Sequence, residues 1–252
     1  MMRRKKVWQI RHSTSPLERL TSFALDENSG DAVLGTYGGL VSAMPTNPET
    51  TNMWLEERQT AVTRFTSQVT SISLSLCEEQ STLVCCSLGN DTTSGTIHIG
   101  KFNRGEDRTL GLEVHAVMKP RSKQALFCTT ISRYTRDLFA VGGENVIFVS
   151  GGLNEQLPML NVRSNCLAVD FLGPHTLSAG SRNGVIRYIW CKVGADVGRL
   201  YDFRAQTDVP TTNHIIKHPS SVTNIRQLED HLLMVGGLEN SVFPLLICFA
   251  YV

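Results

Sequence analysis

The sequence lacks the short motifs by which many enzymes are identified. It has no G-x-x-x-x-G-K-[ST] phosphate loop, no G-x-S-x-G nucleophile turn and no H-E-x-x-H zinc motif. The histidines are dispersed along the chain, and the carboxylates single out no catalytic pair. We therefore predict that the protein is not an enzyme and binds neither a metal ion nor a cofactor. The alternative is a catalytic site formed by residues that are distant in the sequence and adjacent in the fold.

The sequence also lacks an excess of charge of either sign, cysteines at paired spacing, and apolar runs long enough to cross a membrane. The 252 residues carry 24 basic and 23 acidic side chains, so nothing attracts the whole chain to nucleic acid or to a membrane surface. The seven cysteines are scattered without C-x-x-C spacing, which predicts buried reduced thiols and a location in the nucleus, the cytoplasm or both. The apolar stretch at residues 242–252 is too short for a membrane span, which takes about 20 residues.

The beginning of the sequence is basic. Arg3, Arg4, Lys5 and Lys6 are not followed by the apolar segment of a signal peptide. We interpret residues 1–19 as a solvated basic tail, and the alternative is a nuclear-import signal. We expect residues 20–252 to form one domain.

Short alternating apolar segments are abundant. Period-two alternation predicts β-strands, and the glycine or polar turns between such segments predict antiparallel hairpins. No helical pattern of comparable strength occurs, so the predicted fold class is all-β. The expected first strands of five successive units lie at Leu20–Leu25, Val69–Leu74, Phe127–Ser132, Cys166–Phe171 and Val222–Leu228.

The units recur along the chain at a roughly constant spacing. We align the units on the central residues of their first strands, which are Phe23, Ile72, Ile131, Val169 and Ile225. Successive central residues are 49, 59, 38 and 56 positions apart. A four-stranded propeller blade has a period of about 40–45 residues. Each second strand is rich in Gly, Ala or Ser, which lets sheets pack closely face to face.

This spacing predicts a partial β-propeller of about five four-stranded blades. The five units lie near residues 20–43, 66–101, 125–150, 165–204 and 218–243.

The fourth unit is interrupted. Removing residues 188–199 would join Gly-Val-Ile-Arg to Leu-Tyr-Asp-Phe-Arg, and would shorten the last step from 56 to 44 residues. We hypothesise that this segment, like the apolar stretch after Ser241, is unexcised gene sequence, which sequencing of the transcript would test. The alternative is a genuine insertion. In that case Tyr188, Ile189 and Trp190 should continue the third strand, and residues 201–204 should lie on a loop or an outer strand.

The repeated pattern resembles the WD-repeat family, from Leu20 to about Ser241. His218, which lies four positions before Val222, has the spacing of the histidine that precedes the first strand in that family. The resemblance implies a structural role within the blades for His218 and for Asn183 and Gly184, rather than a catalytic or metal-binding role. Most units lack the family's Trp-Asp ending.

The rejoined fourth unit is similar to a longer box found in WD-repeat substrate receptors of cullin-4 ubiquitin ligases. The small residues 179–181 and the ending Tyr201, Asp202 and Arg204 match that box, whereas Ser178 and Asn183 depart from it. The flanking segments look like fungal relatives of the fourth type of receptor associated with cullin-4 and its damaged-DNA-binding adaptor.

The resemblance implies a protein-interaction scaffold and substrate receptor, in which Tyr201, Asp202 and Arg204 bind that adaptor. Physically, residues two apart on a strand share a face, so the Asp202 carboxylate could orient the Arg204 guanidinium towards a partner. One alternative is a generic WD-repeat scaffold in which these residues form a surface ion pair worth about 0–1 kcal/mol. A weaker alternative is a propeller hydrolase. No direct contact with nucleic acid or membrane is expected.

Overall fold

Five antiparallel β-sheets follow one another along the chain in the computed structural model. The structure describes residues 19–25, 31–45, 60–77, 80–89, 94–104, 110–120, 124–135, 138–150, 159–174, 176–192, 199–202, 218–229, 232–238 and 242–246. Throughout these ranges the regular secondary structure is β-strand. None of them contains a helix long and apolar enough to cross a membrane.

Four of the sheets have four strands, and the fifth has three within the described residues. The first sheet contains β1 (Leu20–Leu25), β2 (Asp31–Thr36), β3 (Leu40–Pro45) and β4 (Thr60–Arg64). The second contains β5 (Val69–Cys77), β6 (Gln80–Ser87), β7 (Ile97–Arg104) and β8 (Leu110–Met118). The third contains β9 (Leu126–Ile131), β10 (Phe139–Gly143), β11 (Val146–Ser150) and β12 (Met159–Asn161). The fourth contains β13 (Cys166–Phe171), β14 (Thr176–Ser181), β15 (Ile186–Lys192) and β16 (Arg199–Asp202), and the fifth contains β17 (Val222–Glu229), β18 (Leu232–Gly237) and β19 (Val242–Leu246).

The sheets are arranged as blades around a common axis. Within each sheet the strands keep their chain order and pair with their sequence neighbours. The first strands of successive sheets contact one another in the order β1, β5, β9, β13 and β17, which places them innermost. The predicted all-β, partial β-propeller is confirmed.

One backbone hydrogen bond recurs in every blade and shows that the repeat is regular. The N–H of the residue after the second strand donates to the carbonyl of the residue before the first strand. The five bonds are Tyr37 to Arg19, Leu88 to Gln68, Glu144 to Ala125 and Arg182 to Asn165, all at 2.9 Å, and Leu238 to Ser221 at 3.2 Å. We call this side of the propeller the upper face. The turns between first and second strands lie on the opposite, lower face.

The apolar cores lie between consecutive blades. Four clusters of buried side chains fill the four junctions of the five blades, and each cluster combines residues from two neighbouring sheets. Their members include Val33, Val41, Val69 and Ile72 at the first junction, Val84, Ile97, Leu126 and Val141 at the second, Leu138, Ile147, Val169 and Leu177 at the third, and Ala168, Ile186, Val222 and Ile225 at the fourth.

The small residues of the second strands allow this close packing. A Cβ atom added at Gly180 on β14 would lie 2.8 Å from the Val222 Cβ and 2.9 Å from the Ile225 Cδ1 of the next blade. Gly35 on β2 has the same relation to Val69 and Ile72 of β5. A larger side chain at either position would push the two blades apart.

The substitution Gly180→Ala should therefore destabilise the protein by about 1–3 kcal/mol, the usual cost of overpacking a core. Gly173→Ala is the matched control in the same blade, because an added Cβ there has no atom within 4 Å. Urea denaturation of both variants and the parent chain measures the difference. Equal midpoints for the Gly180 and Gly173 variants would contradict close packing as the reason for the glycine.

The outward faces of the first and fifth blades expose apolar side chains. On β1, Ala24 packs towards the second blade, while Phe23 and Leu25 remain 68% and 55% exposed. On β18, Val235 packs towards the fourth blade and Met234 remains 38% exposed. Alternation along each strand thus directs one apolar row into a junction and the other into solvent.

Exposed apolar faces of this kind favour association. We expect the 252-residue chain to form concentration-dependent oligomers, and the double substitution Phe23→Ser and Leu25→Ser to reduce them. Light scattering coupled to size-exclusion chromatography measures this effect. Val117→Ser is the control, because Val117 is 52% exposed on the fourth strand of the second blade. A monodisperse parent monomer would show that these faces do not drive association.

Candidate functional site

The predicted partner-binding residues lie at the outer edge of the fourth blade. Tyr201 and Asp202 belong to β16, where they pair with Trp190 and Ile189 of β15. The rejoined box would place them at the end of the third strand, but β15 itself continues through residues 188–192. This is the arrangement expected for a genuine insertion. Arg204 lies outside the described residues.

The first residue of the interrupting segment fits its surroundings incompletely. The Tyr188 ring packs against the core of the fourth junction. Its hydroxyl group is buried, however, and has no hydrogen-bond partner among the described residues, and burial raises its pKa to about 12. A buried polar group without a partner costs about 1–3 kcal/mol. In the rejoined sequence, Leu200 would follow Arg187 and bring no such group.

The residues assigned a structural role lie on the upper face, where the fourth and fifth blades meet. Asn183 and Gly184 form the turn between β14 and β15, and Gly184 has a φ of 79°. The His218 N–H donates to the Gly184 carbonyl at 2.9 Å, and an added Cβ at Gly184 would clash with the His218 carbonyl. The His218 ring is buried, with Nδ1 3.0 Å from the Ser220 carbonyl oxygen. These contacts hold the two blades in register.

The same contact occurs at two other junctions. The Phe65 N–H donates to the Gly39 carbonyl at 2.8 Å, and the Val162 N–H donates to the Asn145 carbonyl at 2.7 Å. Gly39 and Asn145, like Gly184, have positive φ angles. Phe65 and Val162 therefore stand where His218 stands. The backbone contact at this position therefore does not require a histidine.

A second polar cluster lies on the innermost strands and was not predicted from the sequence. Asp170 on β13 is only 6% exposed and joins three blades. Its Oδ2 accepts a 2.9 Å hydrogen bond from the Gln227 N–H of β17, and its Oδ1 accepts a 3.4 Å bond from the Thr130 hydroxyl of β9. The hydroxyl of Ser178, which departs from the ligase-receptor box, donates to the Asp170 carbonyl at 3.0 Å.

The turn after β9 extends this cluster across the lower face. The Ser132 hydroxyl accepts hydrogen bonds from the N–H groups of Tyr134 and Thr135, which shapes the turn. The Tyr134 hydroxyl then donates to Gln227 Oε1 at 2.7 Å, and Arg133 Nη2 donates to the same oxygen at 3.3 Å. A turn of the third blade is thus bound to the first strand of the fifth. We call Thr130, Arg133, Tyr134, Asp170 and Gln227 the lower-face network.

Burial dominates the electrostatics of this network. Desolvation raises the pKa of Asp170, while the hydrogen bond from the Gln227 N–H and the positive charges of Arg226 and Arg133 oppose that shift.

Two further groups, which lie outside the network, are uncharged near neutral pH. Desolvation lowers the pKa of His98 to about 4, and desolvation raises that of the Cys86 thiol to about 12. His98 and Cys86 therefore contribute no charge to a site.

Comparison with known proteins shows which fold this is. The structure is similar to the β-propeller domain of Cps50 (Swd1) from Myceliophteria thermophila, with a TM-score of 0.63, 14% identity and coverage of 96% of this chain and 68% of that one. It is also similar to the WD40 repeats of RRP9, with a TM-score of 0.61 and 10% identity; the match covers 87% of this chain and 60% of that one. No known family profile and no curated protein matches the sequence.

The chain has the fold of a WD40 β-propeller. It spans about two thirds of one similar structure and three fifths of the other. In this WD40 fold the lower-face network occupies the ends of the innermost strands. The sequence offered one signal for it, because Asp170 interrupts the otherwise apolar strand Cys166–Phe171.

The raised pKa of Asp170 predicts how stability depends on pH. Because the folded chain retains the Asp170 proton to a higher pH than the unfolded chain does, the unfolding free energy should fall as pH rises above 3.8, the ordinary aspartate value, and level off beyond the folded pKa. Each unit of upward shift corresponds to about 1.4 kcal/mol.

Asp170→Asn keeps an acceptor for the Gln227 N–H but cannot titrate. The difference in unfolding free energy between the parent chain and this variant, from urea denaturation at a series of pH values, isolates the contribution of Asp170. As pH rises from 3.8 to the folded-state pKa of Asp170, we expect the unfolding free energy of the parent chain to fall relative to that of the variant. A difference that stays constant across the series would show that the carboxyl group has an ordinary pKa.

Proposed function

We propose that this protein is a non-enzymatic protein-interaction scaffold that serves as a substrate receptor of a cullin-4-type ubiquitin ligase. Its location would be the nucleus, the cytoplasm or both. The scaffold part of the proposal is supported by the WD40 propeller fold, which presents turns from several blades on each face. Binding sites are commonly built from turns held by a rigid framework of this kind.

The ligase part is carried by the sequence of the fourth unit. Residues 179–181 supply the small residues of the box and lie on β14, and Ile186 begins β15. Tyr201 and Asp202 lie on β16, the outermost strand of the blade. A partner can reach the outermost strand of a blade without entering the apolar junctions, which is compatible with binding at this motif.

A generic scaffold without a ligase link is the competing function. It is favoured by the position of Tyr201 and Asp202, since both lie on the fourth strand and not at the end of the third. In this alternative the motif contributes only to the edge of the blade. The two functions differ in whether the damaged-DNA-binding adaptor binds through Arg204.

Co-purification with the purified adaptor tests the proposal. We expect Arg204→Ala to weaken binding by about tenfold or more without changing the melting temperature, because a guanidinium that pairs with a partner typically contributes more than 1.4 kcal/mol. Arg163→Ala, an exposed arginine on the connection between β12 and β13, is the matched control.

A second variant lacks residues 188–199 and so carries the rejoined box. We expect it to bind the adaptor at least as tightly as the parent chain, and to lose that binding on Arg204→Ala. If neither chain binds the adaptor, the generic scaffold is the correct function. If both chains bind it equally well with alanine at position 204, the motif on β16 does not carry the binding.

A further inference from the structure

We propose that Cys128 and Cys166 are a redox-sensitive pair, which forms a disulfide bond between the third and fourth blades when the surrounding thiol pool becomes oxidised. The bond joins β9 to β13, the innermost strands of these two blades. This inference goes beyond the proposed function and does not depend on the ligase adaptor.

The two sulfur atoms lie together beside Gly142 of β10. A Cβ atom added at Gly142 would be 2.5 Å from the Cys128 Sγ and 2.7 Å from the Cys166 Sγ, so the two sulfurs are at most about 5 Å apart. The Cys128 thiol also donates to the Cys166 carbonyl at 3.6 Å. A disulfide bond brings two sulfurs to about 2 Å. Because glycine has no side chain, position 142 places no carbon atom between them.

This pair of cysteines distinguishes the third junction from the others. In each blade the first strand begins with a residue that faces the preceding blade, and the residue two positions later faces the following blade. At the four junctions the residues that meet in this way are Ser22 and Val69, Ser71 and Leu126, Cys128 and Cys166, and Ala168 and Val222. Among the junctions that the structure describes, only the third therefore places two thiols opposite each other.

Burial slows the oxidation of this pair without opposing its product. Cys166 is fully buried and Cys128 is 8% exposed, and desolvation raises the pKa of the Cys128 thiol. The thiolate is the form that attacks a disulfide, so the closed junction keeps the pair reduced and slow to react. A disulfide bond carries no charge, so an apolar junction accommodates it once it has formed.

Oxidised glutathione is the oxidant that we consider. Local opening of the junction, which precedes global unfolding, exposes the less buried Cys128 first. Its thiolate attacks one glutathione sulfur, which forms a mixed disulfide and releases one glutathione. The Cys166 thiolate then attacks the Cys128 sulfur and releases the second glutathione. The glutathione disulfide gains the two electrons that the protein thiols lose, and the two thiol protons pass to the released glutathione thiolates.

The disulfide bond would reinforce a contact that already joins the same two strands. The Thr130 hydroxyl of β9 donates to the Asp170 carboxylate of β13. The two cysteines are 38 positions apart in the sequence, and a covalent link across such a loop restricts the unfolded chain. We therefore expect oxidation to hold the third and fourth blades together and to stabilise the protein.

Mass spectrometry of tryptic peptides tests the cross-link on the full chain. Cleavage after lysine and arginine leaves Cys128 in residues 124–133 and Cys166 in residues 164–182, each with a single cysteine. After incubation with oxidised glutathione in urea below the unfolding transition, we expect these two peptides to be linked, and dithiothreitol to separate them. The oxidised chain should also unfold at a higher urea midpoint than the reduced chain.

Two substitutions copy the fourth junction, where Ala168 and Val222 occupy the corresponding positions. Cys128→Ala and Cys166→Val should each abolish the linked peptides and the rise in midpoint, and one variant is sufficient if the other fails to fold. Cys86→Ala is the matched control, because Cys86 is also fully buried but lies on the second blade. It should retain both effects.

The proposal is overturned if the linked peptides are absent, if they appear only above the unfolding transition, or if Cys128 is linked to a cysteine other than Cys166. A linked chain whose urea midpoint does not rise would show that the bond does not hold the blades together. Failure of the chain to bind the ligase adaptor would leave all of these readouts unchanged.

Discussion

The packing of each blade against the next is the interaction on which the rest of this structure depends. A single four-stranded sheet exposes two faces, and most of the buried apolar side chains described here are gathered in four clusters between neighbouring sheets. No blade can bury its apolar residues alone, so stability arises from neighbouring pairs. Neighbouring blades must approach each other closely, which explains why glycine occupies positions 35 and 180. Both glycines face the first strand of the following blade.

Polar groups near the axis set the rotation of one blade relative to the next. Ser71 and Ser73 bond the backbone of Thr129 between the second and third blades. Asp170 then bonds groups on the third and fifth blades at once. A buried carboxyl group is expensive unless its oxygens accept hydrogen bonds, and both oxygens of Asp170 do so. Apolar junctions thus provide most of the burial, while directed hydrogen bonds near the axis select one arrangement of the blades.

The β16 motif and the lower-face network lie in different parts of the propeller. The motif at Tyr201 and Asp202 lies on the outermost strand of the fourth blade, whereas Arg133 and Tyr134 lie at the inner end of the third. The lower-face network joins three blades, whose relative positions are also determined by the packing between them.

The sequence by itself determined the all-β class, the repeating units and their first and second strands, but it did not identify outer strands such as β8 and β12. These features depend on local patterns, since alternation of apolar residues, a Gly-rich second strand and turns such as Asn183–Gly184 act over a few residues. The tertiary structure alone decided that Tyr201 and Asp202 pair with Trp190 and Ile189 as an outer strand, because strand pairing after an interruption depends on which edge is available.

The lower-face network, likewise, could not be predicted from the sequence. Gln227 and Tyr134 are 93 positions apart, and Gln227 and Asp170 are 57 apart. No local period relates such residues. They meet because successive blades rotate about one axis and bring the ends of their innermost strands together, which is a property of the packed ring of sheets and of no single segment.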